Sequence, residues 1–178
     1  MKQKGEAMKS VAMRRPEQAL SNAACQKILQ KHHEGVLALI DTDGQPYAVP
    51  LNYWYHDNTL YFHGAPQGHK MSAIAAHPQG SFCVIDRADI HAAEFTTYFK
   101  SVIAFGPLTV VRDVAEIKML MQSFGNHYLP HHEHTVEAFV DQYLNEVAVF
   151  YLKIEILTGK QASGVLKEEK LHAAAQMM

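Results

Sequence analysis

Residues 35–64, GVLALIDTDGQPYAVPLNYWYHDNTLYFHG, decide the fold. Three apolar or alternating runs, GVLALID, PYAVPLNYWYHDN and TLYFHG, are separated by the turn signals Asp43-Gly44 and Asp57-Asn58. Such dipeptides tolerate the positive φ of tight hairpins, and the intervals leave no room for crossover helices, so three antiparallel strands are expected. A doubly wound parallel sheet is disfavoured on the same ground. The middle run is apolar on both faces, which suits a strand central to a barrel or one covered by something else, such as a partner chain.

Working outward, Pro16 can open a helix, and Ala24, Ile28 and Leu29 recur at helical spacing until Gly35 stops the pattern. Residues 1–13 lack periodicity and read as a flexible N-terminal arm. Downstream, GHKMSAIAAHP reads as a helix ending at Pro78, and GSFCVID and EFTTYFKSVIAFGPLTVV as two further strands. Pro107 implies a bend or bulge, because it has no N–H for a ladder. Ile117, Leu120, Met121 and Phe124 mark a helix, TVEAFVDQYL a shorter one, and VAVFYLKIEIL the last strand. Residues 165–178 form a polar, alanine-rich tail. About six strands with peripheral helices predict a mainly β domain over 14–164, an antiparallel barrel or sandwich.

The chain has 178 residues, enough for one ordinary domain, and 48% of them are hydrophobic, enough for a core. A formal charge of −2 supplies no field to attract a polyanion, so a nucleic-acid partner is disfavoured and a small-molecule substrate favoured. Cys25 and Cys83 match no zinc or redox spacing and read as small hydrophobes in a reducing compartment. No run reaches the roughly 18 apolar residues of a membrane span, and no apolar secretory segment opens the chain, so a cytoplasmic protein without a membrane partner is expected.

Polar residues concentrate at one turn, LYFHGAPQGHKM, residues 60–71. Alternation sends Leu60 and Phe62 to one face and Tyr61 and His63 to the other, so His63 leaves the core side. Gly64 and Gly68 permit close backbone approach, and His69 and Lys70 then fall in the first turn of the next helix. Unpaired N–H groups, a cation and an imidazole there could hold a phosphate dianion, or simply face solvent. The P-loop spacing is absent, so a nucleoside triphosphatase is not indicated.

Ser101 and Asn52 lie in apolar runs, where each either bonds a neighbouring backbone group or reaches a ligand. The stretch NHYLPHHEH holds His127, His131, His132, Glu133 and His134, but Pro130 breaks the helix that would align His127 with His131. It reads as a solvated inter-helix loop rather than a metal site. No nucleophile elbow or ordered triad supports hydrolysis.

The residues DTDGQPYAVPLNYWYHDNTLYFHGAPQGHKMSAIAAHP and TTYFKSVIAFG resemble the flavin-binding split-barrel superfamily related to pyridoxamine phosphate oxidase, and within it the nitroimidazole-resistance branch. The resemblance runs from about Arg14 to about Lys160. It implies a six-stranded antiparallel split barrel, a homodimer, and FMN at the subunit interface. His69 and Lys70 would be the charged partners of the flavin phosphate, and Val49, Pro50 and Leu51 would line the ring. His63, Gly64 and Ala65 would edge the same site, with Asn52 and Ser101 nearby. His63 matches the histidine such proteins carry beside the flavin. Where the oxidases have arginine before lysine this chain has His69, and the oxidases' C-terminal substrate-gripping arginine has no clear counterpart, which points away from pyridoxamine phosphate oxidation. An FMN-dependent reductase of small electron-poor aromatics, with His63 as the proton donor or the substrate-facing group, is the expectation. A flavin- or haem-binding protein without turnover is the alternative.

Overall fold

A computed structural model of the chain describes residues 11–176, which excludes most of the expected N-terminal arm. Pro16 opens a short 3-10 turn, and the Ser21 hydroxyl accepts the Ala24 N–H to cap helix α1, Asn22–Lys31. Gly35 does not end that helix. It lies inside strand β1, Glu34–Ile40, where a Cβ would stand 2.5 Å from both the Phe82 ring and the Cys83 carbonyl.

The stretch expected as three strands makes four: β1, β2 (Pro46–Asn52), β3 (Trp54–His56) and β4 (Thr59–Gly64). Both expected turns form. Asp41 accepts the N–H groups of Asp43 and Gln45 in the first, and Asp57 and Asn58 take φ of 45° and 53° in the second, the left-handed pair that a two-residue hairpin favours. Helix α2, His69–Ala76, follows β4, then β5 (Gln79–His91) and β6 (Thr96–Val110). Helices α3 (Val114–Tyr128) and α4 (Glu133–Tyr143) lead to β7 (Ala148–Lys153) and β8 (Ile156–Gln161). The alanine-rich tail forms helix α5, Ser163–Gln176, tied to the sheet by the pairs Arg87–Glu168 and Lys100–Glu169.

Eight strands therefore replace the expected six, because two runs that read as single strands are broken. The first break is at Tyr53, between β2 and β3. The second is at Ile154 and Glu155, between β7 and β8. The ladder order is β2-β1-β5-β6-β7-β4-β3, with β8 added to β6. All the pairings are antiparallel. β2 and β3 stand at opposite ends of this order yet are joined by one residue, so the sheet must curl until its borders meet at Tyr53. Among the described residues no ladder spans that meeting, and the sheet is not closed. One border is β2, which carries Pro46 and Pro50.

Long strand β6 makes the curl possible. It pairs β5 on one side, and on the other it pairs β8 over Lys100–Phe105 and β7 over Leu108–Val110. The change of partner falls at Gly106 and Pro107, where a missing side chain and a missing N–H cost least. A Cβ on Gly106 would collide with the Lys153 carbonyl. Inside the curl, Phe62 lies between the rings of Phe82 and Phe150, at 5.0 and 5.2 Å, all three fully buried. Each such ring contributes about 2–3 kcal/mol by leaving water.

Tyr53 clasps the borders. Its buried hydroxyl donates to the Leu29 carbonyl at 2.9 Å, its N–H to the His33 carbonyl at 2.9 Å, and its own carbonyl accepts the Tyr128 hydroxyl at 2.8 Å. Burial holds the phenol protonated, its pKa well above the ordinary value. Tyr53→Phe is expected to cost about 1–2 kcal/mol in urea unfolding, the cost of an orphaned buried carbonyl at the end of α1. An unchanged midpoint and slope would show that the clasp is dispensable.

Candidate functional site

Strand β4 ends at Gly64, and the chain turns through Ala65 to Gly68 before α2 begins. As alternation predicts, Leu60 and Phe62 are buried and His63 points away from the core. Gly68 is the residue before the helix, at φ 110°, a conformation that needs glycine, and no side chain caps the first turn. The Gly68 carbonyl accepts the Met71 and Ser72 N–H groups, which leaves those of His69 and Lys70 for another acceptor.

Lys70 reaches back from that first turn. Its Nζ lies 3.0 Å from where a Cβ on Gly64 would sit, and 5.9 Å from the centre of the Phe150 ring. Glycine at position 64 is what admits the ammonium. Among the described residues Lys70 has no carboxylate partner. The His63 ring meets Phe124 of α3 edge-on, with ring centres 4.7 Å apart. Desolvation of its partly covered ring, then the Lys70 charge, holds the His63 pKa below the ordinary imidazole value, which favours the neutral form. A neutral imidazole beside an unpaired ammonium can donate a hydrogen bond from one ring nitrogen and accept one at the other while the cation holds an anion.

His69 is turned elsewhere. It stacks on Tyr47 at 4.0 Å, and its Nε2 lies 3.5 Å from the Asp41 carboxylate in the β1–β2 turn. The Gln45 N–H chiefly, with the Asp43 N–H and His69, keeps that carboxyl below its usual range. A carboxylate beside the imidazole leaves Lys70 as the cation free for an anion, with His69 anchoring α2 to the hairpin.

The other candidate residues form a second group. Val49 and Leu51 of β2 pack against the core. Pro50 alternates outward and, with Glu34, Gly35, Val36, Cys83 and Ile85, lines an open cleft of about 580 Å³ on the outer face. The register sets Pro50 opposite Val36, Val36 opposite Cys83 and Cys83 opposite Ile103, and Ser101 stands beside Ile85 on that face. Ser101 is therefore not a core hydroxyl: its neighbours Val102 and Ala104 are the buried ones. Val36, Ile40 and Ile85 are 41%, 42% and 61% exposed there, an apolar face without a cover in one chain. Asn52 faces the Tyr128 hydroxyl near the clasp. Ala65 is exposed in the turn.

The histidines of the α3–α4 connection disperse. His127 ends α3 against the rings of His33 and Trp54, while His131 takes a positive φ in the turn and His134 lies in α4. No cluster of three or more metal-ligating side chains exists among the described residues. Cys25 and Cys83 are both free thiols. No described helix is long and apolar enough to cross a membrane.

Sequence reasoning missed Phe124, Tyr47 and Asp41 as neighbours of the candidate histidines. The apolar stripe through Met121 and Phe124 signalled a buried helix face, but nothing in it indicated which strand it would cover.

An open antiparallel sheet curled until its borders meet, with a glycine-started helix over the end of one strand, defines the class as the split-barrel proteins. Residues 21–161 match the family Pyridoxamine 5'-phosphate oxidase, and the chain belongs to that family. No curated protein matches it significantly. Among solved structures, a Bacteroides thetaiotaomicron protein named for 5-nitroimidazole antibiotic resistance is 19% identical, with a TM-score of 0.70 over 80% of this chain and 86% of that one. A Mesorhizobium loti FAD-binding protein is 28% identical, with a TM-score of 0.59 over 82% and 97% of the two chains. An Azotobacter vinelandii flavocytochrome is 20% identical, with a TM-score of 0.72 over 85% and 72%. The fold is common to all of these.

Proposed function

We propose that this chain is an FMN-dependent oxidoreductase that reduces small electron-poor aromatics such as nitroimidazoles. The observation that carries the reading is the junction of β4 and α2, where the Lys70 ammonium rests over Gly64, α2 begins without a side-chain cap, and the His63 imidazole stands nearby. The junction suits a phosphate dianion: Gly64 admits the Lys70 ammonium where a side chain would crowd it, Lys70 supplies charge, and the His69 and Lys70 amides that open α2 supply donors. A bound flavin would carry electrons from a reduced nicotinamide donor to the aromatic acceptor. The protein would hold the phosphate, keep the site apolar through Phe124, and direct the N–H of the His63 ring at an oxygen of the acceptor, where it would stabilise the charge that develops on reduction.

Pro50 and Ser101 lie in a different sector of the wall from His63 and Lys70, so one chain does not gather the whole set. A second copy seated on the apolar face around Val36 and Ile85 would complete it, which supports a homodimer with the flavin at its interface. Sedimentation of the purified protein should give twice the chain mass.

The activity is tested by adding FMN, a reduced nicotinamide and a nitroaromatic. The flavin spectrum should bleach and then recover. His63→Ala should retain FMN and lose about 100-fold in kcat/KM, the lower end of what one hydrogen-bond donor to developing charge contributes. Full activity in that variant would remove His63 from the chemistry. The Mesorhizobium loti protein is named for FAD and the Azotobacter vinelandii one as a flavocytochrome. FAD should therefore be titrated beside FMN, and a Soret band in place of a flavin spectrum would favour a haem-binding protein.

A further inference from the structure

A cleft of about 250 Å³ opens between α3 and α4, and His63 forms part of its wall. The apolar side chains around it include Met121, Phe124, Leu129, Phe139 and Val140, and no charged residue lines it. The polar groups lining it are the His63 imidazole and, on exposed Thr135 of α4, a hydroxyl. Gly125 lets the helices approach here, because a Cβ on it would stand 2.5 Å from Val136 of α4. Two large apolar residues, Leu129 and Phe139, are left 52% and 63% exposed beside it. Apolar surface gathered about a concavity is what a ligand of matching character would cover.

From this we infer that the α3–α4 cleft is where the electron-poor aromatic binds, and that it selects a single uncharged ring bearing one group that hydrogen-bonds His63. The inference rests on the reductase reading for the use made of the bound ring. Size sets the first limit. An apolar cavity of about 150 Å³ takes benzene, whereas drug-sized ligands need roughly 300 Å³ or more, so this cleft suits one ring with small substituents. Charge sets the second. A carboxylate on the ring would lose its water to a wall without a cation, since Lys70 lies on the Gly64 side and does not line the cleft. A nitro group is neutral and accepts the N–H of a neutral imidazole. The face of His63 toward Lys70 thus belongs to the anion, and the face toward Phe124 to the ring.

The test is equilibrium binding of nitrobenzene and 4-nitrobenzoate to the full chain, followed by ligand-observed NMR, with FMN affinity measured on the same preparations. Nitrobenzene should bind at least about tenfold more tightly than 4-nitrobenzoate. Thr135→Trp fills the cleft from an exposed helix position, and Phe139→Glu sets a carboxylate beside it. Each should weaken nitrobenzene about tenfold and leave FMN affinity unchanged. Equal binding of the two ligands, or unchanged nitrobenzene binding in both variants, would overturn the assignment. If FMN fails to bind while Thr135→Trp still blocks nitrobenzene, the cleft stands as a ring site and the flavin reading falls.

Discussion

Lys70→Glu is expected to abolish useful FMN affinity, weakening it by at least about 100-fold, or roughly 3 kcal/mol, the upper end for a hydrogen bond to a charged group. The ammonium rests over Gly64, where no side chain intervenes, and it has no carboxylate partner among the described residues. The substitution removes the Lys70 cation from the junction and brings a carboxylate toward a dianion. Lys70→Gln, which keeps a donor and loses the charge, should fall between. Quenching of FMN fluorescence on titration reads both. Since Lys70 lowers the His63 pKa, either substitution should also let the imidazole titrate closer to its ordinary value, which NMR would follow without flavin. Affinity retained by Lys70→Glu would mean that the flavin phosphate is held elsewhere.

The largest stability effect is expected at Gly106. An alanine methyl there would collide with the Lys153 carbonyl, a backbone atom fixed by the β7 ladder that cannot rotate away as a side chain would. Gly106→Ala should lose on the order of 3 kcal/mol or more in urea unfolding, beyond ordinary overpacking because the obstacle is main chain. Gly44→Ala is the control: its φ is positive, at 79°, but a Cβ meets nothing within 4 Å, so it should lose only about 1 kcal/mol. Similar losses in the two would show that β6 and β7 can separate at Gly106.

Much of the sheet could be read from local chemistry. Leu60 and Phe62 alternate inward, Asp57-Asn58 turns where its φ tolerance allows, and Pro107 sits where a strand changes partner. The two strand breaks could not be read, because the apolar pattern runs unbroken through Tyr53 and through Ile154. What breaks it is the curl of the whole sheet, a property of residues far apart in sequence. Helix α5 was hidden for a related reason. It has little amphipathic pattern and is held by Arg87 and Lys100, partners on strands distant in the chain.

The site divides in the same way. His63 and Lys70 follow from strand alternation and helix start, so their convergence was legible. His69 looked like their equal. Its attachment to Tyr47 and Asp41 depends on where the first hairpin lies in space, which adjacent residues do not encode. The apolar run around Ser101 did not show which of its faces is the core: the register puts Ser101 with Ile103 on the outer one.

A border strand ordinarily invites polymerisation, because its free amides and carbonyls template another chain's backbone. In β2, proline at positions 46 and 50 deletes two of those amides. A stranger approaching that rim finds nothing continuous to zip onto. The curled sheet can therefore stay unsealed without seeding fibres, leaving cohesion between molecules to side-chain faces.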